Sequence, residues 1–146
     1  MQAPTHKTTD TLLALDVGER RIGIATASFE TRLPRPLTTL IHDDTIFERL
    51  AVLAVEQQAS ALVVGLPRGL DGQHTAQTTY VEQFAAELQK HITLPLEWQD
   101  EALTSRQAEA ELIRRGKPYA KGDIDALSAT YILDDFLHRP EPETTA

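Results

Sequence analysis

Along the N-terminal half of the chain, apolar residues recur first with the period of strands and then with that of helices. Leu12, Leu13 and Leu15 make TLLALDV a short apolar strand ending at Asp16. GER follows as a turn, and RIGIATAS reads as the return strand of a hairpin. A third strand is expected after Pro36, around LTTLI. From Asp43 to Gln58 the spacing changes, and Ile46, Leu50, Leu53, Ala54 and Gln57 fall on one helical side.

The C-terminal half repeats the alternation. ALVVGLP is β-branched and apolar throughout, as in a strand buried on both faces. A helix is expected over Gln73–Lys90, with Val81, Phe84, Ala85 and Leu88 inward. LPLEW is a short strand. A further helix is expected from Thr104, where Thr104 and Gln107 have capping-box spacing, until Gly116 and Pro118 end it. A last helix is expected over Gly122–His138, with Ile124, Leu127, Tyr131, Ile132 and Phe136 toward the core. A hairpin followed by strand–helix alternation predicts an α/β fold, a mixed central sheet with helices on its faces. One domain over residues 11–138 is expected, with polar, flexible tails at 1–10 and 139–146.

Composition narrows the chemistry. The chain lacks cysteine, which excludes thiolate zinc sites, thiol catalysis and disulfides. No apolar run approaches the ~18 residues of a membrane span, and MQAPTHKTTD has no secretory h-region. A cytoplasmic protein without a membrane partner is the expectation. The formal net charge of −8 weighs against nucleic-acid binding, because phosphate contacts need lysine and arginine. Yet Arg106, Arg114, Arg115, Lys117 and Lys121 crowd one short stretch, and binding depends on local patches.

Three acids then stand out by position. Asp16 ends an apolar strand before a glycine turn, and Glu101 closes WQDE just beyond LPLEW. Asp125 lies early in the last helix, with the small residues Ser128 and Ala129 on its own side at i+3 and i+4. Small residues there would let the helix approach the sheet. In open α/β sheets, ligands sit beyond the carboxyl ends of strands. Phosphodiester hydrolysis needs an activated water and charge neutralisation at phosphorus, and hard cations held by carboxylates supply both. Each acid taken singly is better explained as a turn residue, a cap or a helix-end charge, and only the set points to catalysis.

Four motifs in order sharpen this. LALDVGERRIGIATAS, through Asp16, Gly18, Arg21, Ile22, Gly23 and Ala25, resembles the opening of the YqgF/RuvX family. VVGLPRGLDGQHTAQT is similar to that family's V-G-L-P…D-G loop, through Gly65, Leu66, Pro67, Asp71 and Gly72. WQDEALTSRQAE resembles its D-E-x-x-T segment, and KGDIDALSATYIL its last helix. The resemblance spans about Leu12 to Leu137.

It implies a ribonuclease H-like fold and a nuclease that matures the 5′ end of precursor 16S ribosomal RNA. Resolution of four-way DNA junctions is the alternative activity. It also implies Mg²⁺ or Mn²⁺ held by a catalytic triad of Asp16, Glu101 and Asp125. Substrate contacts would then fall on Gly18, Arg21, Arg68, Asp71, Arg106, Arg114 and Lys121, in a monomer or homodimer. Ala102 stands where the family usually has arginine, and Arg106, one helical turn on, is the candidate replacement.

Several readings stay open beside it. Arg21 is equally a surface arginine covering the hairpin, and His74 is best read as part of an ordinary polar turn. The Arg114–Lys121 cluster is equally a solvated helix end favoured by the dipole. A non-catalytic RNA- or ribosome-binding module would share the fold without the chemistry. The D-x-G hairpin also opens actin-like ATPases, but those need two such domains, and 146 residues cannot supply both.

Overall fold

Alternation along the first strand decides which residues meet which layer. The computed structural model describes residues 10–69, 71–101 and 121–139. Strand β1 (Thr11–Val17) turns back through Gly18–Arg20 into β2 (Arg21–Ser28), in a register that sets Asp16 opposite Gly23 and Leu13 opposite Thr26. β2 pairs antiparallel with β3 (Arg35–Ile41), whose register shifts between Ile24 and Ala25. Pro36, which has no N–H to donate, fits there because β3 is an edge strand. The chain then crosses through α1 (Ile46–Glu56) to β4 (Ala61–Pro67), parallel to β1, and through α2 (Ala76–Leu88) to β5 (Leu96–Glu101), parallel to β4. Helix α3 (Lys121–His138) closes the described fold. The sheet order is β3-β2-β1-β4-β5.

Two cores result, one on each face. Leu13, Leu15, Val17, Ile22, Ile24, Leu62 and Val64 pack with Ile46, Leu50, Val81, Phe84 and Leu88 of α1 and α2. The alternate residues Leu12, Ala14, Ala25, Ala27, Ala61 and Val63 pack with Ala129, Ile132, Leu133, Phe136 and Leu137 of α3. β4 is buried along six of its seven residues, as its unbroken apolar run predicts. The mixed sheet with helices on both faces is the expected architecture.

Several boundaries differ from the expectations for local reasons. β1 runs one residue past Asp16 to Val17, because the hairpin pairing continues to Val17 and Ile22. α1 starts at Ile46 and not Asp43. The Asp43 carboxylate accepts from the Thr45 N–H (3.0 Å) and hydroxyl (2.7 Å), which holds that segment in a turn. α2 starts at Ala76 and not Gln73, since Thr75 and Thr78 form a reciprocal capping box. β5 begins at Leu96 and extends through Glu101, because pairing with β4 continues to Pro67. α1 ends in a Schellman pattern: Gln58 N–H donates to Val55 O and Ala59 N–H to Ala54 O, with Gln58 left-handed at φ 53°. The helix expected from Thr104 lies outside the described residues, as do the tails 1–9 and 140–146. No described helix is long and apolar enough to cross a membrane.

Candidate active site

Strand parity puts the three acids on one face of the sheet. Asp16 alternates with Leu15 and Val17 and so shares the α3 face with Ala14. Glu101 is in register with Pro67, two steps beyond Gly65 on the side that meets α3. Asp125, one helical turn into α3, comes down over β2. β1, β4 and β5 run parallel, so Asp16 and Glu101 both stand at carboxyl ends. The connections leave β1 and β4 in opposite directions along the sheet, the switch point where α/β folds form ligand crevices.

The approach of α3 depends on glycine. A Cβ on Gly23 would lie 1.9 Å from the Asp125 carbonyl oxygen. Ser128 and Ala129 are fully buried against the same face, as their spacing from Asp125 predicts. The Ser128 hydroxyl has no hydrogen-bond partner among the described residues. The position favours small size over polarity.

Asp16 and Asp125 face one another. Burial, and then the negative charge of Asp125, push the Asp16 carboxyl up to about 7. Asp16 still keeps some surface open to solvent, so it lies at the floor of a crevice and not in the core. Arg21, which opens β2 on the same face, donates from Nε to Asp125 Oδ2 at 2.6 Å. Both side chains remain partly exposed.

Glu101 stands farther off. Two strand spacings, roughly 10 Å, separate the axes of β1 and β5. Glu101 also lies beyond Asp16 along the strand direction. Accordingly, no group of three or more His, Cys, Asp or Glu among the described residues is close enough to hold one ion. The structure brings Asp16 and Asp125 together and leaves Glu101 two strands away at the end of β5, with its Oε1 buried. The donor set at the pair itself fits a hard divalent cation: two carboxylates, Asp16 buried and close enough to feel the charge of Asp125, with a guanidinium already standing on Asp125.

The other candidates fall in three places. Gly18 forms the turn: its N–H donates to Arg21 O at 3.0 Å, and a Cβ there would meet that oxygen at 2.7 Å. At the end of β4, Arg68 reaches Asp100 at 3.4 Å, and Asp100 belongs by parity to the α1–α2 face. Asp71 is exposed and accepts from Gln73 Nε2 at 3.4 Å, beside Gly72 at φ +78°. His74 pairs with Glu82 at 2.7 Å, as suits a polar turn. Lys121 opens α3. Arg106 and Arg114 lie outside the described residues, as does Ala102.

No sequence signal pointed to His42, which braces the Gly18 turn. Its backbone N–H donates to Arg20 O at 2.8 Å, and its Nδ1 meets Gly18 O at 3.0 Å. A carbonyl only accepts, so Nδ1 carries the proton, shared with the Tyr80 oxygen at 3.2 Å. Phe84 packs edge-on against the ring. The partners are far apart in sequence, and a single histidine after a strand gives no periodic cue.

The RuvX family model, described as Holliday junction resolvase, matches residues 10–139. The chain belongs to the RuvX family. A relative from Roseiflexus sp. (strain RS-1), named "Putative pre-16S rRNA nuclease", is 42% identical over 130 residues, covering 86% of this chain and 92% of its own. Relatives of the same name come from Dechloromonas aromatica (39% identical, 89% and 92% covered) and Sulfurihydrogenibium sp. (35%, 88% and 90%). Among solved structures, Thermus thermophilus RuvC in complex with a Holliday junction substrate superposes with TM-score 0.55 at 15% identity, covering 88% of this chain and 94% of RuvC. A second RuvC structure from the same organism gives 0.52 at 14%. The fold is ribonuclease H-like.

Proposed function

We propose that this RuvX chain is a nuclease that hydrolyses phosphodiester bonds in structured nucleic acid, with Mg²⁺ or Mn²⁺ as cofactor. The observation that carries the reading is the Asp16–Asp125 pair. Two carboxylates face each other at the carboxyl end of the central strand, and one is held near pH 7 by burial and like charge. Such a pair is costly with both members ionised, and a divalent cation shared between them would offset that cost. Asp16 and Asp125 would hold the ion, and Glu101 would complete the catalytic set from the end of β5. A divalent cation supplies there an activated water and neutralisation of the scissile phosphate.

The chain's own residues do the rest. Gly18 presents bare backbone to the strand being cut, held in place by His42. Arg21 offers a guanidinium beside the carboxylates. Arg68, Asp71, Arg106, Arg114 and Lys121 are the remaining substrate contacts. The name shared by the bacterial relatives supports the 5′ end of precursor 16S ribosomal RNA as substrate, and with it a cytoplasmic site of action. The description of the family model favours a four-way DNA junction as second reading. That reading carries a further demand. Symmetric cuts require a dimer with paired sites, whereas ribosomal processing is compatible with a monomer.

A cleavage assay with Mn²⁺ or Mg²⁺ tests this, with a precursor ribosomal RNA fragment and a synthetic four-way junction in parallel. Wild type should cut the RNA, and Asp16→Asn should lose about 100-fold or more in rate. Cutting of the junction alone would establish the second reading. Failure to cut either substrate at any metal concentration would leave a non-catalytic RNA-binding module.

A further inference from the structure

The arginine beside the carboxylate pair is placed to do more than meet substrate. Arg21 is the first residue of β2 and shares a strand face with Gly23, over which Asp125 passes. Its backbone is fixed on three sides: Gly18 N–H donates to Arg21 O, His42 N–H to the neighbouring Arg20 O, and β2 pairs Arg21 with Ile41. The guanidinium, in contrast, is held by one bond. Nε donates to Asp125 Oδ2 at 2.6 Å, and the two Nη groups have no protein acceptor among the described residues. A single Nε contact lacks the forked, two-bond geometry that makes arginine–carboxylate pairs firm. The side chain is 31% exposed, so an outward path to solvent is open.

We infer that Arg21 is the resident counter-ion of Asp125 when no metal is bound, and that it competes directly with the divalent cation for Oδ2. This rests on the reading of Asp16 and Asp125 as metal ligands. The guanidinium neutralises one member of a pair whose mutual repulsion is already felt at Asp16. A divalent cation that takes the Oδ2 position now held by Nε–H displaces it, because a dication and a guanidinium on one carboxylate repel each other. Arg21 thereby lowers the metal affinity of the free protein. Its displacement also leaves a mobile guanidinium, on an anchored backbone, beside the place where a phosphate would sit. Metal binding and phosphate binding are coupled through this one side chain.

The test is calorimetric titration of Mn²⁺ into the full chain without nucleic acid. Arg21→Gln should bind Mn²⁺ about tenfold tighter than wild type, the effect of removing a charge-assisted competitor. Arg20→Gln removes the same charge from the same turn without touching Asp125, and should change affinity less than about twofold. Equal tightening by both variants would reduce the effect to general electrostatics and overturn the inference, as would unchanged or weaker binding by Arg21→Gln. Binding by neither wild type nor Arg21→Gln would sink the metal reading itself, and this inference with it. A second measurement needs no variant. The Arg21 Nε–H resonance should be protected from exchange in metal-free wild type and lose that protection at saturating Mg²⁺. Protection that persists at saturation would show that the pair is structural and not a competitor.

Discussion

Toward α1 and α2 the sheet turns Leu13, Leu15, Ile22, Ile24, Leu62 and Val64, large side chains that hold those helices away from its backbone. Toward α3 it turns, beside Leu12 and Val63, the small residues Ala14, Gly23, Ala25, Ala27, Ala61 and Gly65, over which the helix backbone settles close to β2, β1 and β3. The first face is thick and apolar, and its stability comes from area removed from water. The second is thin, and its thinness brings a helical carboxylate down to a strand carboxylate. One face can tolerate adjustment of side chains. The other is set by backbone clearance.

The sharpest way to break the contrast is to add one methyl group to the thin face. Gly23→Ala would drive a carbon into the Asp125 carbonyl, and neither backbone can yield without undocking α3. We expect a loss of about 4 kcal/mol or more in urea unfolding. Gly65→Ala should cost clearly less, since its Cβ would meet only the Ile132 side chain, 2.4 Å from Cδ1, which can turn aside. On the thick face, Leu62→Ala removes buried methyl groups and should cost about 3 kcal/mol, yet leave the Asp16–Asp125 pair assembled. If Gly23→Ala proves milder than Leu62→Ala, the clearance account of the thin face is wrong.

A smaller effect, of opposite sign, comes from Asp16. Burial and the charge of Asp125 push its carboxyl up to about 7 in the folded chain, from the 3.8 of an unperturbed aspartate. The folded state therefore binds the proton more tightly than the unfolded one. Stability from this group is fully present below about pH 4 and is lost as pH rises through 7. Metal-free Asp16→Asn should therefore be more stable than wild type by about 2 kcal/mol at pH 8, with no such gain at pH 4. Thermal melts at the two pH values check this, and an equal gain at both would remove titration as the cause.

The smallest effect belongs to the thick face again. Gln58 occupies a left-handed position where glycine carries no steric penalty. Gln58→Gly should stabilise by about 0.5–1 kcal/mol and leave cleavage unchanged. The thick face can gain stability without touching the carboxylate pair, whereas the thin face gains it only by giving up one of the two carboxylates.

Legibility in the sequence follows the same division. Periodicity revealed the hairpin, the doubly buried β4 and the inward faces of α1 and α2, because those depend on area. The small Ser128 and Ala129 beside Asp125 correctly announced a close helix. Motif order carried the family. What could not be read were contacts between distant residues: the Arg21–Asp125 pair, the Gly23–Asp125 clearance and the His42 brace on Gly18. Strand and helix ends were misplaced where a side chain captured the backbone, as Asp43 does before α1, or where a neighbouring strand prolonged pairing, as β4 does for Glu101.

The separation of 104 residues between Arg21 and Asp125 has a consequence for synthesis. The N-terminal hairpin can form early, since its partners are adjacent in the chain, and domains fold progressively as they leave the ribosome. Asp125 emerges after every strand of the described sheet. A half-made chain, however well folded its sheet, holds Asp16 alone and cannot assemble the carboxylate pair. The carboxylate pair is therefore a late product of folding, complete only once α3 has docked on the sheet.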